Sequence, residues 1–148
     1  MSKKLELKIV TPEKLILDEM VDAVTIPTTE GEITILPDHV SLIAQIGKGD
    51  IVAISDKEHI PMVVVGGFVE VKKTETNSTI AVILADFAEH VSTLTDEEIA
   101  KAKANAEELR IKTQHKEHVD FEHFETELDR SLTRVKIADK WRNRKYRI

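Results

Sequence analysis

Histidines and carboxylates crowd one short stretch of this 148-residue chain: His115, His118 and His123 stand among Glu117, Asp120 and Glu122. Imidazole and carboxylate groups are zinc ligands when thiolates are absent, so metal chemistry is the first to weigh. The spacings match no strong metal motif. His118 and His123 also fall on opposite sides of a helix start expected at Asp120, and a solvated turn accounts for the cluster better. Other chemistry has less to draw on. With no cysteine in the chain, thiolate catalysis, disulfides and cysteine-ligated zinc are excluded. No nucleophile elbow, phosphate-cradling loop or glycine-framed carboxylate pair occurs. The expectation is a non-enzyme without a metal or cofactor.

Charge is the second source of chemistry. Arg130, Arg134, Lys136, Lys140, Arg142, Arg144, Lys145 and Arg147 face only Asp139 across residues 130–148, a net of +7. The other 129 residues hold 13 basic and 26 acidic groups, a net of −13. Such a basic arm seeks an acidic partner or folds back on its own acidic body; alternatively, it is a solvated helix end whose cations suit the negative pole of the helix dipole. Nucleic acid is a poor partner, because Trp141 and Tyr146 are the arm's only aromatics and the body would repel phosphate.

The elements that must position these groups fall into two halves. All five glycines and all four prolines lie at or before Gly67, so turn residues punctuate the first half and then vanish. In the first half Leu5, Leu7 and Ile9 alternate with polar residues until Thr11-Pro12. Val21 to Ile26 and Ile33 to Leu36 flank Thr28-Thr29-Glu30-Gly31, a hairpin loop in which Gly31 supplies positive φ. Gly47-Lys48-Gly49-Asp50 reads as another turn, and Gly66-Gly67 as a bulge or corner inside the run Ile60 to Val71. Thr79 to Leu84 closes a set that predicts a flattened antiparallel sandwich or barrel of about 85 residues.

The second half predicts two helices. Thr95-Asp96-Glu97-Glu98 forms a capping box, followed by the stripe Ile99, Ala102, Ala106 and Leu109. Phe121, Phe124, Leu128, Leu132 and Val135 form the apolar face of the next helix, with 113–119 as the turn between. The fold class is therefore α+β, with a sandwich over 1–88 and a helical hairpin over 89–148. With 41% hydrophobic and 4% aromatic residues, the core must be aliphatic. No run approaches the roughly 18 apolar residues of a membrane span, and MSKKLELKIV alternates instead of forming a signal peptide; the expectation is a cytosolic protein.

Two phrases, GEITILPDH at Gly31 to His39 and VVVGGFVEVKK from Val63, carry a resemblance. Together with LELKIVTPEKLILDEMVDAVTIPTTE before them and TIAVILADFAEH, LTDEEIAKAKANAEEL and VDFEHFETELDRSLTRVKIA after, the chain resembles the epsilon subunit family of bacterial F-type ATP synthases. Order and spacing agree along nearly the whole chain. The resemblance implies a ten-stranded N-terminal β-sandwich and a C-terminal helical hairpin. It also implies a non-catalytic rotor subunit, clamped to the gamma subunit, resting on the c-ring and coupling proton flow to ATP synthesis. The hairpin would restrain wasteful ATP hydrolysis. Location would be peripheral, at the cytoplasmic face of a bacterial membrane, touching lipid only indirectly. A free-standing sandwich that binds another protein by its hairpin is the alternative, and co-purification with gamma separates the two.

Residue roles follow from the resemblance. Glu30, Gly31, Glu32 and His39 would face the polar loops of the c-ring, with Glu32 beside the hairpin tip able to pair with basic groups; a solvated strand residue and a turn histidine would serve equally well. Gly66, Gly67 and Phe68 would lie near gamma, although bulge glycines and a core phenylalanine need no partner. Arg130, Arg134, Lys140, Arg142, Arg144, Lys145 and Arg147 would meet an acidic segment of the alpha/beta catalytic subunits when the hairpin extends. Some family members bind ATP through Ile or Leu, Asp, two variable residues and Arg-Ala. Here Asp96 is present but Ile99 takes the arginine's place, so weak or no ATP binding is expected. Each fully buried Leu or Ile contributes roughly 1.5–3 kcal/mol, against about 1–2 kcal/mol of backbone entropy per ordered residue. An alanine-rich hairpin is thus expected to lie close to balance between docked and extended arrangements.

Overall fold

The computed structural model of the chain describes residues 3–114 and 121–148, the side chains at 113, 114 and 121 excepted. Seven strands form one mixed sheet: β1 (Leu5–Val10), β2 (Leu15–Val21), β3 (Ala23–Thr28), β4 (Gly31–Ile35), β5 (Leu42–Ser55), β6 (Glu58–Lys73) and β7 (Thr79–His90). Their order is β2-β1-β7-β6-β5-β3-β4, with β1 parallel to β7 and the other pairs antiparallel. Only Asp22 separates β2, at one edge, from β3 near the other, and the Asp22 amide donates to the Ile54 carbonyl at 2.7 Å. So short a link forces the sheet to fold over on itself into two layers.

The strand count corrects the expected ten short strands, for a physical reason. β5 to β7 run through the glycine positions without losing register: Ile46 pairs with Gly67 and Lys48 with Val65, while Gly67 pairs with Ala85 and Val65 with Phe87. Glycine lets the backbone bend while the ladder of hydrogen bonds continues. Gly47 to Asp50, expected as a turn, therefore lies inside β5. The expected corner at Gly66-Gly67 is present. A Cβ on Gly67, at φ +133°, would stand 2.3 Å from the Leu84 carbonyl oxygen and 2.8 Å from Ala85 Cα. The tip hairpin also forms as expected, with Gly31 at φ +120° paired to Thr28.

Leu5, Leu7, Ile9, Ile26, Ile35, Ile51, Met62 and Ile83 are fully buried between the layers. The core is aliphatic, as the composition requires.

After the short 3-10 turn Val91–Thr93 come α1 (Asp96–Gln114) and α2 (Phe121–Trp141). Thr95 caps α1 by accepting the Glu98 amide at 3.1 Å, and Asp96, Glu97 and Glu98 suit its positive pole. The Glu98 carboxylate turns to Arg134, 3.7 Å away. Ala102, Ala106 and Leu109 are buried on α1, as their spacing predicts. The face of α2 needs correction. Leu132 is half exposed, whereas Ser131, Ile137, Ala138 and Trp141 are buried. One helix here serves two neighbours: Ser131 meets Asn105 of α1 at 3.0 Å, and Ile137 and Trp141 pack on Val63 and Val91 of the sandwich side. A single 3.6-residue stripe cannot describe two contact faces. The turn expected over 113–119 begins later than the sequence suggests, since α1 continues through Gln114; the rest of it, with His115, Glu117, His118 and Asp120, lies outside the described residues. Of that group, His123 pairs with Glu127 at 3.1 Å along α2. Among the described residues no helix is long and apolar enough to cross a membrane.

Candidate interaction surfaces

Three surfaces collect the residues singled out by sequence. The first is the tip of the β3–β4 hairpin with the loop before β5. Glu30, Gly31 and Glu32 are exposed and His39 is half-buried. Glu32 pairs across the hairpin with Pro27, and Thr28 Oγ1 bonds the Gly31 carbonyl to close the tip. His39 donates from Nδ1 to the Val40 carbonyl at 2.8 Å, and its amide bonds the Leu36 carbonyl. No hydrogen bond joins His39 to the glutamates. Sequence reasoning missed what fixes this loop, which is Asp38. Its amide donates to Thr79 Oγ1 at 2.7 Å, and its carboxylate accepts from Lys3 and Lys73 at 2.9 and 2.5 Å. Those two ammonium groups, Lys3 first, hold its pKa down to about 2. Leu36, Val40 and Ile43 project beside it, each more than half exposed.

The second surface is an outer face of the sheet. Phe68 is not a core residue: it is 55% exposed. On adjacent strands it pairs with Leu84, Leu84 with Val10, and Val10 with Leu15. Leu84 and Leu15 are 59% and 53% exposed, so an apolar row runs across β6, β7, β1 and β2. Gly66 and Gly67 lie at its end but expose little of themselves. A Cβ on Gly66 would meet the Asp86 carboxylate at 2.6 Å. Exposed apolar rows on a folded sheet mark places where something else packs.

The third surface is the seam where the basic end of α2 meets the sandwich. The +7 segment folds back on the chain's own acids. Arg134 pairs with Glu89 at 2.5 Å, and Lys140 with Asp50 at 2.9 Å. Arg147 grips Glu19 through two bonds of 2.6 Å. Its donation lowers the Glu19 pKa, and Glu19 in turn raises that of Arg147. Trp141 donates to the buried Asp50. Arg130 lies over the Phe87 ring at 5.3 Å, and its buried Nε finds no acceptor. Arg144 stacks over Trp141, and Arg142, just past the end of α2, pairs back with Asp139 on that helix. Lys145 lines a shallow cleft with Asp56, Lys57, Glu58, His59 and Tyr146. Only the pattern of opposite charges could have signalled this, since the partners lie 45 to 128 residues apart in sequence. None of these surfaces gathers a nucleophile with a base, and among the described residues no group of three or more metal-binding side chains forms.

Residues 4–91 match the family model described as ATP synthase, Delta/Epsilon chain, beta-sandwich domain. The chain is 37% identical to the ATP synthase epsilon chain of Desulforamulus reducens over 139 residues, 94% of this chain and 100% of that one. It is 35% identical to the ATP synthase epsilon chain of Nitratidesulfovibrio vulgaris over 93% of this chain and 97% of the relative. Among solved structures it resembles a chain of the Euglena gracilis mitochondrial ATP synthase OSCP/F1/c-ring assembly. That likeness has a TM-score of 0.68 and 26% identity, covering 88% of this chain and 78% of the other.

Proposed function

The chain belongs to the ATP synthase delta/epsilon family, and from that premise we propose how its parts act. It is a non-catalytic rotor-stalk subunit of the synthase, part of a membrane-associated complex. In our reading the sandwich, residues 1–88, grips the gamma subunit, and the hairpin, 89–148, regulates ATP hydrolysis. The observation that carries the first half is the apolar row Phe68, Leu84, Val10 and Leu15 across four strands, in which Phe68, Leu84 and Leu15 are each more than half exposed and Val10 partly so. A packed partner would bury that row, and each side chain taken fully out of water adds roughly 1.5–3 kcal/mol.

The tip carrying Glu30, Gly31, Glu32 and His39 then faces the c-ring, with Leu36, Val40 and Ile43 supplying apolar contact beside the acids. The complex sits at the cytoplasmic face of the membrane, reached by this subunit only through the ring. The cations of α2 are committed to internal carboxylates while the hairpin is docked. Extending the hairpin frees Arg134, Lys140 and Arg147 for acidic segments of the alpha/beta subunits. Exchange of one set of ion pairs for another keeps the two arrangements close in free energy.

The test is reconstitution with gamma and the alpha/beta subunits, using the full chain and a form with Arg134, Lys140, Arg142, Arg144 and Lys145 changed to Gln. Both should assemble, and the substituted form should hydrolyse ATP faster. Equal hydrolysis rates would remove the regulatory half of the reading.

A further inference from the structure

We propose that the last residues of the chain, 142–148, form a strap that holds α2 against the sandwich, with Arg147 and Glu19 as its fastening. The inference rests on the reading that the hairpin can leave the sandwich. Strand β6 overhangs its neighbour: its ladder with β7 begins at Met62 opposite His90, so Glu58 to Pro61 have β5 on one side only. An open strand edge invites pairing. The tail takes that place, the Arg147 amide donating to the His59 carbonyl at 2.9 Å.

Three further contacts make this more than a stray bond. The Arg147 guanidinium meets both carboxylate oxygens of Glu19 on β2, fixing geometry as well as charge. Tyr146 packs edge-on against Trp141, with ring centres 6.0 Å apart. His59 approaches the same indole at 5.8 Å. The tail thus closes over Trp141, the residue that anchors α2, and joins it to two strands. Undocking α2 requires the strap to open first, since Trp141 cannot leave while Tyr146 and Arg147 remain fastened.

Native-state hydrogen exchange on the full chain reads the strap directly. Arg147→Gln and Glu19→Gln are each expected to lower protection of α2 amides about tenfold, equivalent to losing 1.4 kcal/mol. Amides of β1 and β7 should stay as protected as before, which shows that the sandwich remains folded. The exchanged pair Glu19→Arg with Arg147→Glu should restore protection. Unchanged α2 protection in the single variants, or no recovery in the exchanged pair, overturns the strap. Failure of the regulatory reading shows separately, as unaltered ATP hydrolysis by the assembled complex when α2 is demonstrably loosened.

Discussion

Trp141 donates its indole N–H to Asp50 at 2.8 Å, joining residues 91 positions apart across the seam between helix and sheet. Asp50 also takes Lys140 at 2.9 Å and is almost wholly buried. One carboxylate therefore fixes both the apolar anchor of α2 and a cation beside it. Removing it would strand the buried indole N–H and release Lys140 to solvent.

Asp50→Ala is expected to weaken docking of α2 by about 1–3 kcal/mol, the penalty of leaving the buried indole N–H of Trp141 unpaired. Trp141 is the chain's only tryptophan, so its emission reports the event. A red shift with unchanged sheet content in circular dichroism is the expected result.

The sheet corner should be intolerant of side chains. Gly67→Ala places a methyl group against the Leu84 carbonyl and the Ala85 backbone, at a φ of +133°. We expect a loss of about 2–4 kcal/mol from crowding and backbone strain, seen as a lower midpoint in urea unfolding.

Phe68 and Leu84 should behave in the opposite way. Both are more than half exposed, so Phe68→Ala and Leu84→Ala should change stability by less than about 1 kcal/mol. Their affinity for gamma should fall at least about tenfold each, as central apolar residues of an interface do. Calorimetric titration onto gamma distinguishes this from a merely solvent-exposed pair.

Acid should loosen the loop of residues 36–41. The Asp38 pKa is held at about 2 by Lys3 and Lys73, against an ordinary 3.8. Its stabilising contribution is therefore complete above pH 3.8 and disappears as the pH falls through 2. Nuclear magnetic resonance of the His39 and Val40 amides should follow that window in the native chain. Asp38→Asn should abolish it.

Local structure was legible in this sequence wherever one residue type enforces one geometry. Gly31 marked the hairpin tip, Thr95 the start of α1, and the spacing of Ala102, Ala106 and Leu109 its buried face. Gly47 and Gly49 misled, because glycine permits both a turn and a bend within a continuous ladder. Only the strands on either side decide which occurs. Leu132 misled for a related reason. Periodicity reports a face, but α2 has two, and the one meeting the sandwich carries Ile137 and Trp141. Phe68 shows the remaining limit, since a large apolar residue in a strand looks the same whether it points into the core or toward a partner. The pairing of the basic tail with Glu19, Asp50 and Glu89 lay beyond reach because charge is visible in sequence but distance in the fold is not.

Binding of the purified full-length chain to the gamma subunit at low ionic strength tests the central claim most directly. Saturable one-to-one binding, lost when Phe68 and Leu84 are both changed to Ala, is what a rotor-stalk subunit with this exposed row predicts. An absence of binding by the unaltered, folded chain would contradict it.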